Sequence, residues 1–375
     1  MQLPTPARAL GVDHAADWEG SGLAALTGPA DGEPITIDNP VVASVAALAD
    51  GVSTAATRLG GAAPKLDAAS SLTERARLDG LTRRGVVSCG GGCAMYEAVD
   101  GWLALSLARG SDRELLPAWL GASTAVVDDD GELRHELRRH RVGDLVGLAA
   151  ELGIPVASVG EEPGVAPARR ALTGSDRAVR PVSDIRVVDL SAMWAGPLVG
   201  RLLAAAGAAV TKVESPHRPD ALANGSPELF RRLNGAKRRV SIDLRSPRAV
   251  VDLRTELLEA DLVIDSSRPR AMAQLGIDVV GIVASGTTWL SITGHGRASN
   301  RVAFGDDAAV AGGAWVVPTG ARTPVFVGDA LADPVAGWVG AWAAFEALEE
   351  SRSTLIDVSM SASVWHVLGR RRARQ

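Results

Sequence analysis

Asp333, in the segment Val325-Phe-Val-Gly-Asp-Ala-Leu-Ala-Asp-Pro-Val-Ala-Gly337, lies just past a stretch that reads as a nucleotide-binding α/β unit. A carboxylate so placed can act as a nucleophile. It can also cap a helix, because Pro334 would occupy the first helical position and an apolar run follows. Spacing alone favours the cap. Two glycine-rich turns, Gly90-Gly91-Gly92 and Gly294-His-Gly296, can present backbone N–H groups to a developing oxyanion. His295 and Asp307 are secondary candidates, each equally readable as a loop or packing residue. Cys89 and Cys93 flank the first glycine turn. Two thiols cannot complete a tetrahedral zinc site and no histidine lies near them in sequence, so neither a metal nor a disulfide is expected.

The elements that must position these groups form an alternating series from Ser183 onward. Ile185–Leu190, Ala209–Glu214, Arg239–Leu244, Asp261–Asp265 and Thr288–Thr293 read as strands. A helix starting near Pro197 ends at Gly207, and another is capped by Ser246 with Pro247 at its first position. This βαβ order predicts a Rossmann-like parallel sheet, with ligands at the carboxyl ends of its strands. The turn Trp194-Ala195-Gly196-Pro197 lacks the G-x-G-x-x-G fingerprint, which makes a redox dinucleotide a weak reading. The helix start still offers free N–H groups to phosphates, and Glu214 stands where a ribose-binding acid would sit.

The chain has 375 residues, 46% of them hydrophobic, and a formal charge of −5. That supports a substantial core, and two domains or one large domain with an insert. Its largest Lys/Arg block is Arg370-Arg-Arg-Ala-Arg374, so nucleic-acid binding has little support. No stretch reaches the roughly 18–20 apolar residues of a membrane span, and the first residues do not read as a leader. A cytoplasmic protein without membrane association is expected.

Several segments in register resemble the family III CoA-transferases. Ala332-Asp333-Pro-Val-Ala-Gly337 is similar to the turn that carries that family's nucleophilic aspartate. Asp189-Leu-Ser-Ala-Met-Trp-Ala-Gly-Pro197, Lys212-Val-Glu214, Leu233–Leu244, Arg268-Pro269 with Gln274-Leu-Gly276, and Ser291–Gly296 resemble its other motifs in the same order. The resemblance implies a CoA-transferase that moves CoA between an acyl-CoA and a carboxylic acid through a covalent aspartyl intermediate at Asp333. No permanently bound cofactor is implied, because CoA is a substrate. It places Leu244 and Arg245 beside the nucleotide and makes Lys237, Arg238 and Arg268 phosphate partners by charge and position. It likens Gly90–Gly92 to a loop that covers the acyl-aspartyl intermediate. Arg270, Gln274 and Trp194 depart from the family pattern. A catalytically silent CoA-binding homologue or partner subunit is the alternative. An α-methylacyl-CoA racemase is weaker, since Phe304-Gly-Asp-Asp307 stands where racemases carry a histidine.

The first half resembles the family's later segments, so the order is rotated. Ser21–Ser44 can be laid on Gly312–Val335, matching Asp38 to Asp329 and Val42 to Asp333. The expected division is a degenerate copy of the aspartate segment (1–60), a small-domain-like α+β region with the glycine loop (61–160), a Pro/Gly-rich linker (161–182), the CoA-binding region (183–300) and the aspartate segment with a C-terminal helix (301–375). The resemblance and the length of the linker imply a homodimer.

Overall fold

The computed structural model describes Leu3 and residues 13–369; the basic run Arg370–Arg374 lies outside them. The main sheet has seven strands. Numbered in chain order with the strands outside it, the set is β1 Cys93–Ala98, β2 Gly101–Ser106, β3 Val156–Ser158, β4 Ala168–Asp176, β5 Arg186–Asp189, β6 Ala209–Glu214, β7 Arg238–Ser241, β8 Leu262–Asp265, β9 Thr288–Thr293, β10 Trp315–Val316, β11 Val325–Phe326 and β12 Arg352–Ser359. The sheet order is β4-β12-β9-β8-β5-β6-β7, and every pairing is parallel except β4 with β12. The expected mixed α/β architecture around a parallel sheet is therefore present. Central strands such as Leu262-Val-Ile-Asp265 are buried throughout, as helices on both faces require.

The stretch 161–182 is not simply a linker. Residues 168–176 form β4, the antiparallel edge strand, with Leu172 opposite Leu355 and Ala168 opposite Val358. Its side chains are mostly exposed, so it lacks the continuous apolar signal of a buried strand. The third expected strand is shorter than Arg239–Leu244, because β7 ends at Ser241.

A second, antiparallel sheet of β1, β2 and β3 has its own apolar core, including Leu103, Leu116, Trp119, Leu133 and Leu137. Residues before it do not stand apart from the main sheet. Val45, Leu48 and Val52 of the helix Val41–Arg58 share one core with Trp338, Val339 and Phe345.

The helix Ala332–Leu348 is apolar on every side, and such a helix must be buried. It packs between the helices Ala195–Ala206 and Val41–Arg58 and touches β9 and β12. Small residues set how close it comes. A Cβ at Gly337 would lie 3.0 Å from the Ala195 carbonyl oxygen and 2.7 Å from Leu198 Cδ2, and one at Gly340 would lie 3.1 Å from Val199. On its other side, a Cβ at Gly51 would lie 2.8 Å from Trp342. This packing brings the first turn of the helix, with Asp333, against the start of the helix Ala195–Ala206.

Candidate functional site: a carboxylate cluster around Asp333

Asp333 does not cap its helix. The helix begins at Ala332, Leu331 occupies the cap position without a side-chain bond, and the Asp333 amide donates to the Ala330 carbonyl at 2.9 Å. The carboxyl group is therefore free for other work. It is half-buried, and its pKa is raised to about 7 by burial, with Asp306 and Asp329 pushing the same way; Arg75 and the backbone amide of Ala195 oppose them. The approach is tight, since a Cβ at Gly305 would lie 2.1 Å from Asp333 Oδ2. Glycine is required there.

Around Asp333 stand two more carboxylates. Asp329 is fully buried and takes a forked bond from Arg75, with Nε donating to Oδ2 at 2.8 Å and Nη2 to Oδ1. Asp306 accepts from the Ala330 amide at 2.8 Å and from the Ser88 hydroxyl. Burial raises its pKa and Asp329 adds to that, while Arg75 opposes. Between the two carboxylates, Ala330 has a left-handed φ of 45°, a strained state for a residue with a Cβ. Met193, just before Trp194, has φ 68°. Ala330 meets the aspartate through its carbonyl, while Met193 is held by Asp220 two residues before Ala195.

The glycine turn expected to supply oxyanion donors reaches this cluster through Arg75. A Cβ at Gly90 would lie 2.9 Å from Arg75 Nη2 and one at Gly91, where φ is 77°, would lie 2.7 Å from Arg84 Nη1. Gly90 and Gly91 are exposed and Gly92 is half-buried. Cys89 is buried, its thiol directed at the Gly328 carbonyl at 3.4 Å, and burial pushes its pKa up to about 12. Cys93 is a second buried free thiol. Among the described residues no group of His, Cys, Asp and Glu could hold a metal.

The secondary candidates separate. Asp307 is fully buried and accepts from Ser106 Oγ at 2.6 Å and the Phe304 amide at 2.9 Å, with burial raising its pKa to about 7. His295 faces Ser361 at 3.5 Å and Glu161 at 3.8 Å, and burial lowers its pKa to about 3, so it stays neutral.

The residues expected to hold CoA are only partly brought together. Lys237 is a correction. Its side chain is fully buried, and Nζ bonds Asp189 at 2.7 Å, the Pro197 carbonyl at 2.9 Å and Asn234 at 2.9 Å, so it has no donor left for a phosphate. Arg238 is exposed at the amino end of β7, beside Thr211, and not at the ligand-binding end of the sheet. Glu214 is held by Arg239 at 2.8 Å, which leaves its carboxylate already paired. Leu244 packs against the core beside β8, and exposed Arg245 contacts Asp243 and His217. Trp194, Ala195 and Gly196 are buried, and a Cβ at Gly196 would lie 2.3 Å from Ser191 Cβ. The helix start thus presents its Ala195 amide to Asp333.

Arg268 alone of the predicted bases joins a cationic group, whose other members the sequence reading missed. Arg270, Arg109 and Arg218 are close enough to lower its pKa, behind the larger effect of burial. Arg109 comes from the end of β2 in the small sheet, beside Phe304 and bonded to Asp112. The other missed residues are Arg75, Asp306 and Asp329.

The CoA-transferase family III profile matches residues 182–374, just over half of the chain, and the chain belongs to that family. Among curated relatives, the succinyl-CoA–D-citramalate CoA-transferase of Chloroflexus aurantiacus is 29% identical over 190 residues, 47% of either chain. The succinate–glutarate CoA-transferase of Agrobacterium fabrum is 31% identical over 132 residues, 31% of this chain and 33% of that one. The chain spans about half the length of the first of these and a third of the second. A CAIB/BAIF family protein from Brucella suis of known structure is 27% identical, with a TM-score of 0.45 over 52% of this chain and 56% of that one. Among the described residues no helix is long and apolar enough to cross a membrane.

Proposed function

We propose that this chain transfers CoA between an acyl-CoA and a carboxylic acid, with Asp333 as the nucleophile. The observation that carries the reading is the state of Asp333 inside the family-matching segment. It is a half-buried carboxyl group with no cation bonded to it, touched by a helix-start amide and raised to about 7. In the reaction, ionised Asp333 adds to the thioester carbonyl and expels CoA thiolate, leaving an acyl-aspartyl anhydride. The thiolate then attacks the aspartyl carbonyl and releases the donor acid, giving an aspartyl-CoA thioester. The acceptor carboxylate reverses these steps and leaves as its own CoA ester. Each attack creates an oxyanion that the N–H groups of Gly90 and Gly92 would stabilise, since the Gly91 N–H is already given to the Ser88 carbonyl at 2.8 Å. The N–H of Ala195 would hold the aspartate in place.

For CoA itself, the arginine group of Arg109, Arg218, Arg268 and Arg270 supplies the positive field that the 3′,5′-phosphates need. Leu244 and Arg245 remain candidates for the adenine side. The names of the two relatives above contain succinate or succinyl-CoA, so succinyl-CoA is the donor of choice for a test, with glutarate and citramalate as acceptors. Transfer by the wild type and its loss in Asp333→Ala supports the reading; transfer at the wild-type rate in that variant overturns it. Calorimetric binding of CoA without any transfer would favour the silent-binder alternative. The homodimer is proposed as well, and light scattering decides it.

A further inference from the structure

The turn that presents Asp333 is built by the second half of the chain but held by the first. Thr27 Oγ1 accepts from the Gly328 amide at 3.2 Å, Cys89 Sγ lies 3.4 Å from the Gly328 carbonyl, and Arg75 forks onto Asp329. Asp329 is followed at once by strained Ala330, whose amide bonds Asp306 and whose carbonyl accepts from the Asp333 amide. Arg75 has a side-chain exposure of 18% and sits 5.9 Å from the Trp194 ring. The backbone of Gly90 packs on its guanidinium. None of Thr27, Arg75 and Cys89 lies within the segment that matches the family.

We propose that Arg75 is a positioning residue: its guanidinium locks the strained Asp329–Ala330 turn and is the counter-charge that lets Asp333 ionise. Three carboxylates, Asp306, Asp329 and Asp333, face one guanidinium. The Cys89 and Cys93 thiols and the Asp307 carboxyl, also within reach of the cluster, supply no positive charge. Burial works against the charge on Arg75, and the bond to Asp329 with the field of all three aspartates keeps it cationic. Its charge is therefore shared: one fork fixes Asp329, and the remainder of the field falls on Asp306 and Asp333. Remove Arg75 and Asp333 must ionise beside two uncompensated carboxylates. Remove the Asp329 charge instead, and Arg75 serves the other two.

This deepens the aspartate reading, and only its activity arm rests on that reading. The primary readout is the titration of Asp333 itself, followed by pH-dependent carbodiimide–amine labelling and peptide mass spectrometry in the full chain. The variants are Arg75→Gln, Arg75→Lys and Asp329→Asn. Arg75→Gln should move the Asp333 midpoint up by about 1–3 pH units, Asp329→Asn should move it down, and Arg75→Lys should fall close to wild type. In the transfer assay Arg75→Gln should lose kcat at neutral pH and recover part of it at higher pH. If Arg75→Gln does not fold, the downward shift in Asp329→Asn carries the test. An Asp333 midpoint that stays at the wild-type value in folded Arg75→Gln overturns the proposal, as does one that does not fall in Asp329→Asn. Transfer that survives Asp333→Ala would overturn the nucleophile while leaving the titration result standing.

Discussion

Two buried charge clusters lie at either end of the segment between β5 and the helix Ala195–Ala206, and they differ in balance. The first pairs Asp189 with Lys237 at 2.7 Å and Asp220 with Lys212 at 3.3 Å. Its remaining contacts are also satisfied. Lys212 donates to the Ser191 carbonyl at 2.7 Å, and Asp220 accepts from the amides of Met193 and Leu222. Against the cost of burial, Lys237 and Lys212 hold Asp189 below its ordinary pKa. The second cluster sets Asp306, Asp329 and Asp333 against Arg75 alone, and its carboxyls at 306 and 333 are raised. A balanced network of this kind is scaffolding, and it fixes the strained Met193 that leads into Trp194 and Ala195. An unbalanced one leaves a carboxylate without its own cation, which is the state the proposed nucleophile needs.

The sharpest way to break this comparison is to unbalance the scaffold. Lys237→Ala leaves Asp189 buried without its partner and should cost about 3–5 kcal/mol, read by chemical denaturation. A variant of wild-type stability with weakened CoA binding would return Lys237 to the phosphate role.

Next comes the pH dependence of stability. Asp307 and Asp333 are raised to about 7 in the fold against about 4 in the unfolded chain. The folded state therefore keeps protons that the unfolded state has released between those values. Their contribution is fully present below about pH 4 and is lost as pH rises to about 7. We expect a fall of about 1–4 kcal/mol for buried Asp307, and less for half-exposed Asp333. Asp307→Asn should flatten the profile in thermal melts, and an unchanged slope would contradict the assigned state of that residue.

A smaller effect is steric. Gly196→Ala drives a methyl group into Ser191 and should cost about 1–3 kcal/mol while also lowering transfer, since it moves the Ala195 amide. Smallest of all, Arg268→Ala should weaken CoA binding several-fold, because an exposed ion pair is worth roughly 0.5–1 kcal/mol. Calorimetry at two salt concentrations measures it, and a salt-independent affinity would argue against phosphate contact there.

Much of the sheet was legible because its inner strands are apolar runs closed by glycine or polar turns. Ala209–Glu214 and Thr288–Thr293 have the expected limits, and Ser246 caps the expected helix. β4 was missed because an edge strand with exposed arginines carries no continuous apolar run. The two positions laid on each other in the expected repeat have the same place in their helices. Val42 is the second residue of the helix Val41–Arg58, as Asp333 is of the helix Ala332–Leu348. The partners of Asp333 were invisible for a different reason: Arg75 meets Asp329 across 254 residues, and local spacing carries no trace of such a meeting. Lys237 shows the converse error. Charge and position pointed it at a phosphate, and only packing reveals the aspartate that already holds it.

The most direct test of the unbalanced cluster is to trap what it makes. The protein is incubated with succinyl-CoA, quenched with hydroxylamine and digested, and each of Asp306, Asp329 and Asp333 is read by peptide mass spectrometry. We predict a hydroxamate on Asp333, dependent on the acyl-CoA, with Asp306 and Asp329 unmodified. Active transfer with no adduct at Asp333, or with the adduct on either neighbour, would contradict the account.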